Sequence, residues 1–193
     1  MRLPSLSALA LIVLLSACAE QPAATVTPPT PSPVIGLPGK VVRTDGNQDL
    51  QLIERGAARC NLITAEEIGR ALIATNNARA GQGLKPLQIN RSAQAAAEAQ
   101  ACDMANRGTM THAGSATKGP SARIKAQGYK PTVTAENIAA GRFNLDQATM
   151  EWVASPKHLA NIVIPGLKDF GTAYATGADG KTGFHVAVYA QPR

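Results

Sequence analysis

Four stretches between positions 64 and 154 carry helix signals, and two after position 171 alternate as strands do. Ile68, Ala71, Leu72 and Thr75 recur at helical spacing, which predicts a helix that stops near Gly81. Its start is set by Thr64-Ala65-Glu66-Glu67, where hydroxyl and carboxylate can satisfy the free N–H groups of the first turn as a capping box. A second helix is predicted over about 92–106, with Ala97, Ala101, Met104 and Ala105 on one side. So many alanines imply close helix approach, not a thick core layer. Residues 119–128 predict a short third helix ending at Gly128, and 145–154 a fourth, stopped by Pro156. Gly171–Thr176 and Gly183–Ala190 read as strands, with Ala178-Asp179-Gly180 as the hairpin turn between them. Helices first and a short antiparallel sheet after them argue for an α+β layered fold.

Ahead of residue 64 the pattern changes. Met1-Arg2 supplies a short positive region, and Leu6 to Leu15 an apolar run of signal-peptide length. That run falls short of the roughly 20 residues a membrane-spanning helix needs. It ends in Leu15-Ser16-Ala17-Cys18, which resembles a bacterial lipobox. In such sequences the cysteine becomes the first mature residue and carries lipid, palmitate among its chains. Each buried CH₂ then contributes about 0.8 kcal/mol to membrane attachment, so the membrane is the first expected partner. Cleavage without lipidation, releasing a secreted protein, is the alternative. Ala19 stands where an inner-membrane retention signal has Asp, which points to the outer membrane of a two-membrane host. The expected location is the bacterial cell envelope, facing the periplasm or the surface. Glu20 to Pro38 is dense in Pro, Thr and Ala and cannot bury enough apolar surface to offset its ordering entropy, so it predicts an extended tether. Residues 40–60 stay ambiguous: Val41-Val42 and Leu50 to Ile53 fit short strands or loop. The chain thus divides into a signal peptide (1–17), lipidated Cys18 with tether and lead-in (18–60), and one domain (61–193).

Composition changes this picture at two points. With Cys18 assigned to lipid, two of the three cysteines remain, Cys60 and Cys102. Parity and an oxidising compartment predict a disulfide between them, with two buried thiols as the alternative. The net charge of +6 is dispersed, with no cluster of Lys and Arg and no basic helix with interleaved aromatics. That argues against nucleic-acid binding and for a weak attraction to an anionic surface or acidic glycan. A monomer is expected.

Three histidines and one polar pair carry the candidate chemistry. His112 lies among small residues just beyond the second helix, where little could cover it, a setting that suits a side chain pointing into a cleft. Glu136 and Asn137 are flanked by small and apolar residues. His158 and Asn161 stand three apart, hence on one face if the segment makes a helical turn. His112, Glu136 and His158 could ligate zinc or another divalent cation with a position left open. They could equally form an acid–base pair, and singly each histidine reads as a surface or capping residue. No compact signature such as HExxH joins them. His185 shares a strand face with Ala187 and Tyr189 and reads as a solvated sheet-surface residue.

An ordered series of short motifs runs through the same region. It begins with Asn77-x-Arg79, Gly83-Leu84-x-Pro86-Leu87 and Met104-Ala105-x-Arg107-Gly108 leading into Thr111-His112. It continues with Arg123-x-x-x-x-Gly128-Tyr129, Ala135-Glu136-Asn137-Ile138-Ala139 and Trp152-x-x-Ser155-Pro156-x-His158-x-x-Asn161-Ile162. From about Ala71 to Tyr189 this series resembles the CAP superfamily, the SCP or cysteine-rich secretory, antigen 5 and pathogenesis-related-1 domain, in its bacterial secreted form. The resemblance implies a three-layer α-β-α sandwich with a small antiparallel sheet and a central cleft. It implies that His112 and His158 are the two family histidines and Glu136 the glutamate of the Gly-Glu-Asn motif, with Ala135 in place of the glycine. The second family acid would fall at Ser155, so the implied metal tetrad is reduced to three. Asn137 and Asn161 are expected to bond to loop backbone and hold the cleft walls. Trp152 is expected in the core, and Arg79 and Arg123 in structural ion pairs.

The function expected is a lipid-anchored extracytoplasmic CAP domain with no established catalysis. It would bind a small ligand, lipid or envelope glycan in a cleft lined by His112, Glu136, His158, Asn137 and Asn161. The alternative is a divalent-metal-assisted hydrolase with Glu136 as ligand or general base to an activated water. A third reading is a passive envelope spacer. Fold alone does not choose among them.

Overall fold

Residues 49–60 and 63–193 are described by the computed structural model; the lipobox with Cys18, the Pro/Thr-rich stretch and Val41-Val42 lie outside the described residues. The described chain enters through β1 (Leu50–Gln51), which pairs antiparallel with β3 (Thr109–Met110). Arg59 then bridges to Thr176, and a Cys60–Cys102 disulfide joins positions 42 residues apart. The ambiguous lead-in is therefore stitched to the domain by strand pairing, a bridge and a covalent bond.

Helix α1 (Ala65–Ala80) starts at the capping box: the Glu67 N–H donates to Thr64 Oγ1 at 3.2 Å and the Thr64 N–H to the Glu67 carboxylate at 2.9 Å. After β2 (Gln88–Ile89), Asn90 caps α2 (Arg91–Arg107), which ends at Gly108 with φ 67°. A side chain at Gly108 would also strike the Ile53 carbonyl oxygen at 2.2 Å, so glycine closes the helix and admits the lead-in together. Next come α3 (Pro120–Ala126), β4 (Pro131–Gly141), α4 (Leu145–Ala154) and α5 (Pro156–Ile162). Pro156 does more than stop α4. It opens α5 at the first helical turn, where its missing N–H costs nothing. The chain finishes with β5 (Asp169–Thr176) and β6 (Gly183–Pro192).

The main sheet has the order β2-β5-β6-β4, antiparallel except for the β2–β5 pair. Alternation along β6 divides the core. Phe184, Val186, Val188 and Ala190 pack with the alanine face of α2 and with Ile124 of α3. Ala187 and Tyr189 pack with Ala71 of α1, Leu145 and Trp152 of α4 and Ile162 of α5. The result is an α-β-α sandwich with its sheet covered on both sides. The alanines do what their size predicts: the α2 backbone lies so near β5 that a Cβ on Gly171 would meet Gln94 N at 2.2 Å.

Two expectations need correction. His185 is 1 % exposed, not solvated, because α1 and α4 cover its sheet face and its ring stacks on Phe143 and Tyr174. Arg79 is buried among carbonyls instead of pairing with an acid: its guanidinium donates to the backbone oxygens of Lys85, Ile162, Ile164 and Leu167. Four backbone acceptors converge there because the loop before β2, the end of α5 and the loop after it turn their carbonyls inward. Trp152 is core, as expected, with Nε1–H donating to Ile138 O at 3.4 Å.

Candidate functional site

Strand β4 organises the site, since its consecutive residues face opposite layers. Glu136, 4 % exposed, turns its carboxylate to the α3 side, where both oxygens are engaged. Arg123 of α3 donates from Nη2 to Oε2, and His112 Nδ1 lies 2.8 Å from Oε1. Arg123 is 5 % exposed and also donates to the His112 carbonyl at 3.1 Å, so one guanidinium holds both the carboxylate and the loop that carries the imidazole. That loop is pinned further. Gln100 Nε2 donates to Thr111 O, the Ala113 N–H to Thr111 Oγ1, and Arg107 to Ala113 O. The His112 side chain stays 41 % exposed. With Nδ1 against the carboxylate, its Nε2 is the nitrogen left to meet a ligand.

Asn137 faces the other layer. Its amide donates to the His158 carbonyl at 3.1 Å and to Tyr189 Oη at 3.3 Å. Burial pushes the Tyr189 hydroxyl far up from its ordinary value, so it stays protonated. Asn161 of α5 donates to the Glu136 carbonyl at 3.2 Å and to Asn137 Oδ1 at 2.8 Å. The two asparagines thus tie α5 to the edge strand, in large part through backbone carbonyls. All five expected residues belong to one bonded set, but they do not converge as ligands. The His158 ring lies with Nδ1 3.0 Å from Ser155 Oγ, on the α5 side, while Glu136 points to the α3 side. The residue whose part sequence reasoning understated is Arg123. Its ion pair was expected, but its partner carried no local signal, since Glu136 lies 13 residues on and in another element.

Two surface pockets open elsewhere, and neither is lined by these five residues. The larger, about 590 Å³, lies where the first turns of α1 and α4 meet the β5–β6 hairpin. The smaller, about 210 Å³, lies between α2, α3 and the loop after His112, with Gln100 and Arg123 in its wall.

A model of the cysteine-rich secretory protein family, CAP, matches residues 72–190. The chain belongs to this family. It is 32 % identical over 100 residues to the uncharacterised protein YkwD of Bacillus subtilis (strain 168), covering 52 % of this chain and 39 % of that one. The match therefore spans well under half the length of that relative. The fold of this chain is similar to that of an outer surface protein from Borrelia burgdorferi, at TM-score 0.61 and 20 % identity, covering 72 % of this chain and 99 % of that one. An extracellular protein containing a SCP domain from Bacillus anthracis str. Ames gives TM-score 0.56 at 18 % identity, over 68 % of this chain and 45 % of that one. The observed α-β-α sandwich is thus the CAP fold.

The CAP resemblance also implied a divalent cation, and the donor set can be tested against that. Among the described residues no three of His, Cys, Asp and Glu gather as a ligand group. The one buried carboxylate of the set already has a guanidinium at Oε2 and an imidazole nitrogen at Oε1. A fixed positive charge stands where a metal ion would need open lone pairs. The residues present do not fit a divalent ion held by His112, Glu136 and His158.

Proposed function

We propose that this chain is an extracytoplasmic CAP domain, anchored to the envelope by lipid on Cys18, that binds a small envelope ligand over His112 without metal-assisted catalysis. The observation that carries the reading is the saturation of Glu136. A buried carboxylate shared by Arg123 and His112 orients the imidazole and fixes its loop. It is poorly placed to activate water. A hydrolase built on Glu136 as ligand or general base would have to break a buried ion pair first, which costs several kcal/mol. Neither the sheet edge nor α5 supplies a substitute acid, since Ser155 stands where the second family acid would be. The location rests on the Leu15-Ser16-Ala17-Cys18 sequence and on the extracellular and outer-surface descriptions of the two similar folds. No helix among the described residues is long and apolar enough to cross a membrane, which suits attachment by acyl chains.

The test is native mass spectrometry of the full-length protein extracted in mild detergent from its own envelope, wild type beside His112→Ala. A lipid or glycan adduct on the wild type that falls at least tenfold in the variant supports the reading. An adduct indifferent to His112→Ala, or stoichiometric zinc retained through His112, overturns it.

A further inference from the structure

The pocket where α1, α4 and the β5–β6 hairpin meet holds the most unusual buried group in the domain. His185 forms part of its lining, and neither ring nitrogen has a hydrogen-bond partner although the residue is 1 % exposed. Its ring is held between Phe143, with centroids 5.0 Å apart and planes 17° apart, and Tyr174, at 5.8 Å and 26°. Burial pushes its pKa down to about 4, which the nearby Phe143 backbone offsets only in part without reaching good bonding geometry. At neutral pH the imidazole therefore presents one N–H and one lone pair. Leaving both unmade in a folded interior is costly.

The surroundings say what would satisfy them. Gly183 lines the same pocket, and a Cβ there would fall 2.6 Å from His185 Nε2, so the bare backbone of glycine is what lets the pocket wall lie against that covered nitrogen. Phe143 and Tyr174 are half-buried and give the wall two aromatic surfaces. The rim is polar: Arg142, Asn144 and Lys181 line it, with Gln147 beside them. Glu67 is the acid in the wall, and its carboxylate is occupied by Thr64 and Tyr174. Arg142 and Lys181 thus stand two to one against Glu67 in the lining, with Asp179 of the hairpin acting on Arg142 from outside it. A volume of about 590 Å³ lies in the range of small-molecule sites.

We propose that this pocket is a second ligand site, separate from His112 and Glu136, that takes an acidic saccharide. A sugar hydroxyl donates or accepts as required, which matches an imidazole without protein partners whose Nε2 lies just behind Gly183 in the wall. A ring's apolar face rests on Phe143, and a carboxylate meets Arg142 and Lys181. An alkyl chain matches less of this wall, because Glu67, Asn144, Gln147 and the two cations would be desolvated against hydrocarbon with nothing to bond.

The test is ligand-observed saturation-transfer NMR on the full chain in detergent, with N-acetylmuramic acid, N-acetylglucosamine and octanoate as separate probes. The acidic sugar should bind at least tenfold more tightly than the neutral one. Arg142→Gln and Lys181→Met should each weaken it several-fold, Gly183→Ala should abolish it, and His112→Ala should leave it unchanged. Equal binding of the two sugars, absence of binding by either, preference for octanoate, or insensitivity to the Arg142, Lys181 and Gly183 substitutions each overturns the proposal. Circular dichroism shows whether a variant is folded. Should Gly183→Ala fail to fold, the two charge substitutions at the rim decide the matter alone.

Discussion

Replacing Arg123 with methionine removes the cation from a pair in which the Glu136 side chain is 1 % exposed and that of Arg123 5 %. Methionine fills much of the same volume, so the chief loss is electrical. The carboxylate stays buried with the His112 ring as its remaining partner, and the bonds to His112 O and Thr117 Oγ1 at 3.1 and 3.3 Å go with the guanidinium. Breaking a buried pair by deleting one partner costs about 3–5 kcal/mol. At about 3 °C per kcal/mol for a domain of this size, Tm should fall by roughly 12 °C. Glu136→Gln alone should cost a similar amount, because it strands the guanidinium instead. In the double variant Arg123→Met/Glu136→Gln both charges are gone, so the sum of the single losses should exceed the double loss by about 2 kcal/mol or more. Urea unfolding of the oxidised protein, followed by circular dichroism, measures all four corners of the cycle. A single-variant cost below about 1 kcal/mol, or simple additivity, would refute the claim that Arg123 is the cation that neutralises buried Glu136.

Reduction of Cys60–Cys102 releases a 42-residue span and should lower stability by about 4 kcal/mol on the chain-entropy account. Unfolding with and without reductant checks this, and a loss below about 1 kcal/mol would mean the reduced lead-in stays docked. His185 should make stability depend on pH below neutrality. Its folded pKa of about 4 lies under the unfolded value of about 6.5, so its contribution is complete above about pH 6.5 and is lost as pH falls towards about 4. The total is about 3 kcal/mol, and it should be missing from the pH profile of His185→Phe; identical profiles for the two proteins would sink it. Trp152→Ala should cost about 3–5 kcal/mol, as a buried aromatic does when truncated, and melting followed by circular dichroism reads the loss.

Local features of the fold were legible because local chemistry writes them. Thr64 and Glu67 fix the start of α1 within their own first turn, and Asp179 with Gly180 marks the hairpin whatever the rest of the chain does. The longest strand, β4, was hidden for the opposite reason. Its middle holds Glu136 and Asn137 where a strand pattern would have apolar residues, and those two are satisfied only by Arg123, His112, His158, Tyr189 and Asn161, far away in sequence. Once β4 is known as a strand, period-two alternation separates Glu136 from the α5 side where His158 lies. A list of ligand-type residues carries no such direction, so the three-residue metal set looked possible. His185 was misplaced because its exposure depends on which helices cover the sheet, and Arg79 because a guanidinium among carbonyls leaves no acidic partner to spot. The motif series fared better than any single residue in it, since its order along the chain encodes the fold and no one spacing does.

The Cys60–Cys102 bond also decides how the domain responds to force. A pull applied through the chain ahead of Asp49 first loads the two-residue pairing of β1 with β3 and the Arg59–Thr176 bridge. Both can unzip one contact at a time. The covalent link then passes the load into the middle of α2, whose alanine face is seated across β5 and β6, so that many contacts must shear together. The Thr64 cap and α1 lie beyond that point and stay shielded from tension. A domain pulled from its N-terminus would thus yield a short length of slack before it meets a stop, and the helices around the candidate site would keep their places while the lead-in stretches.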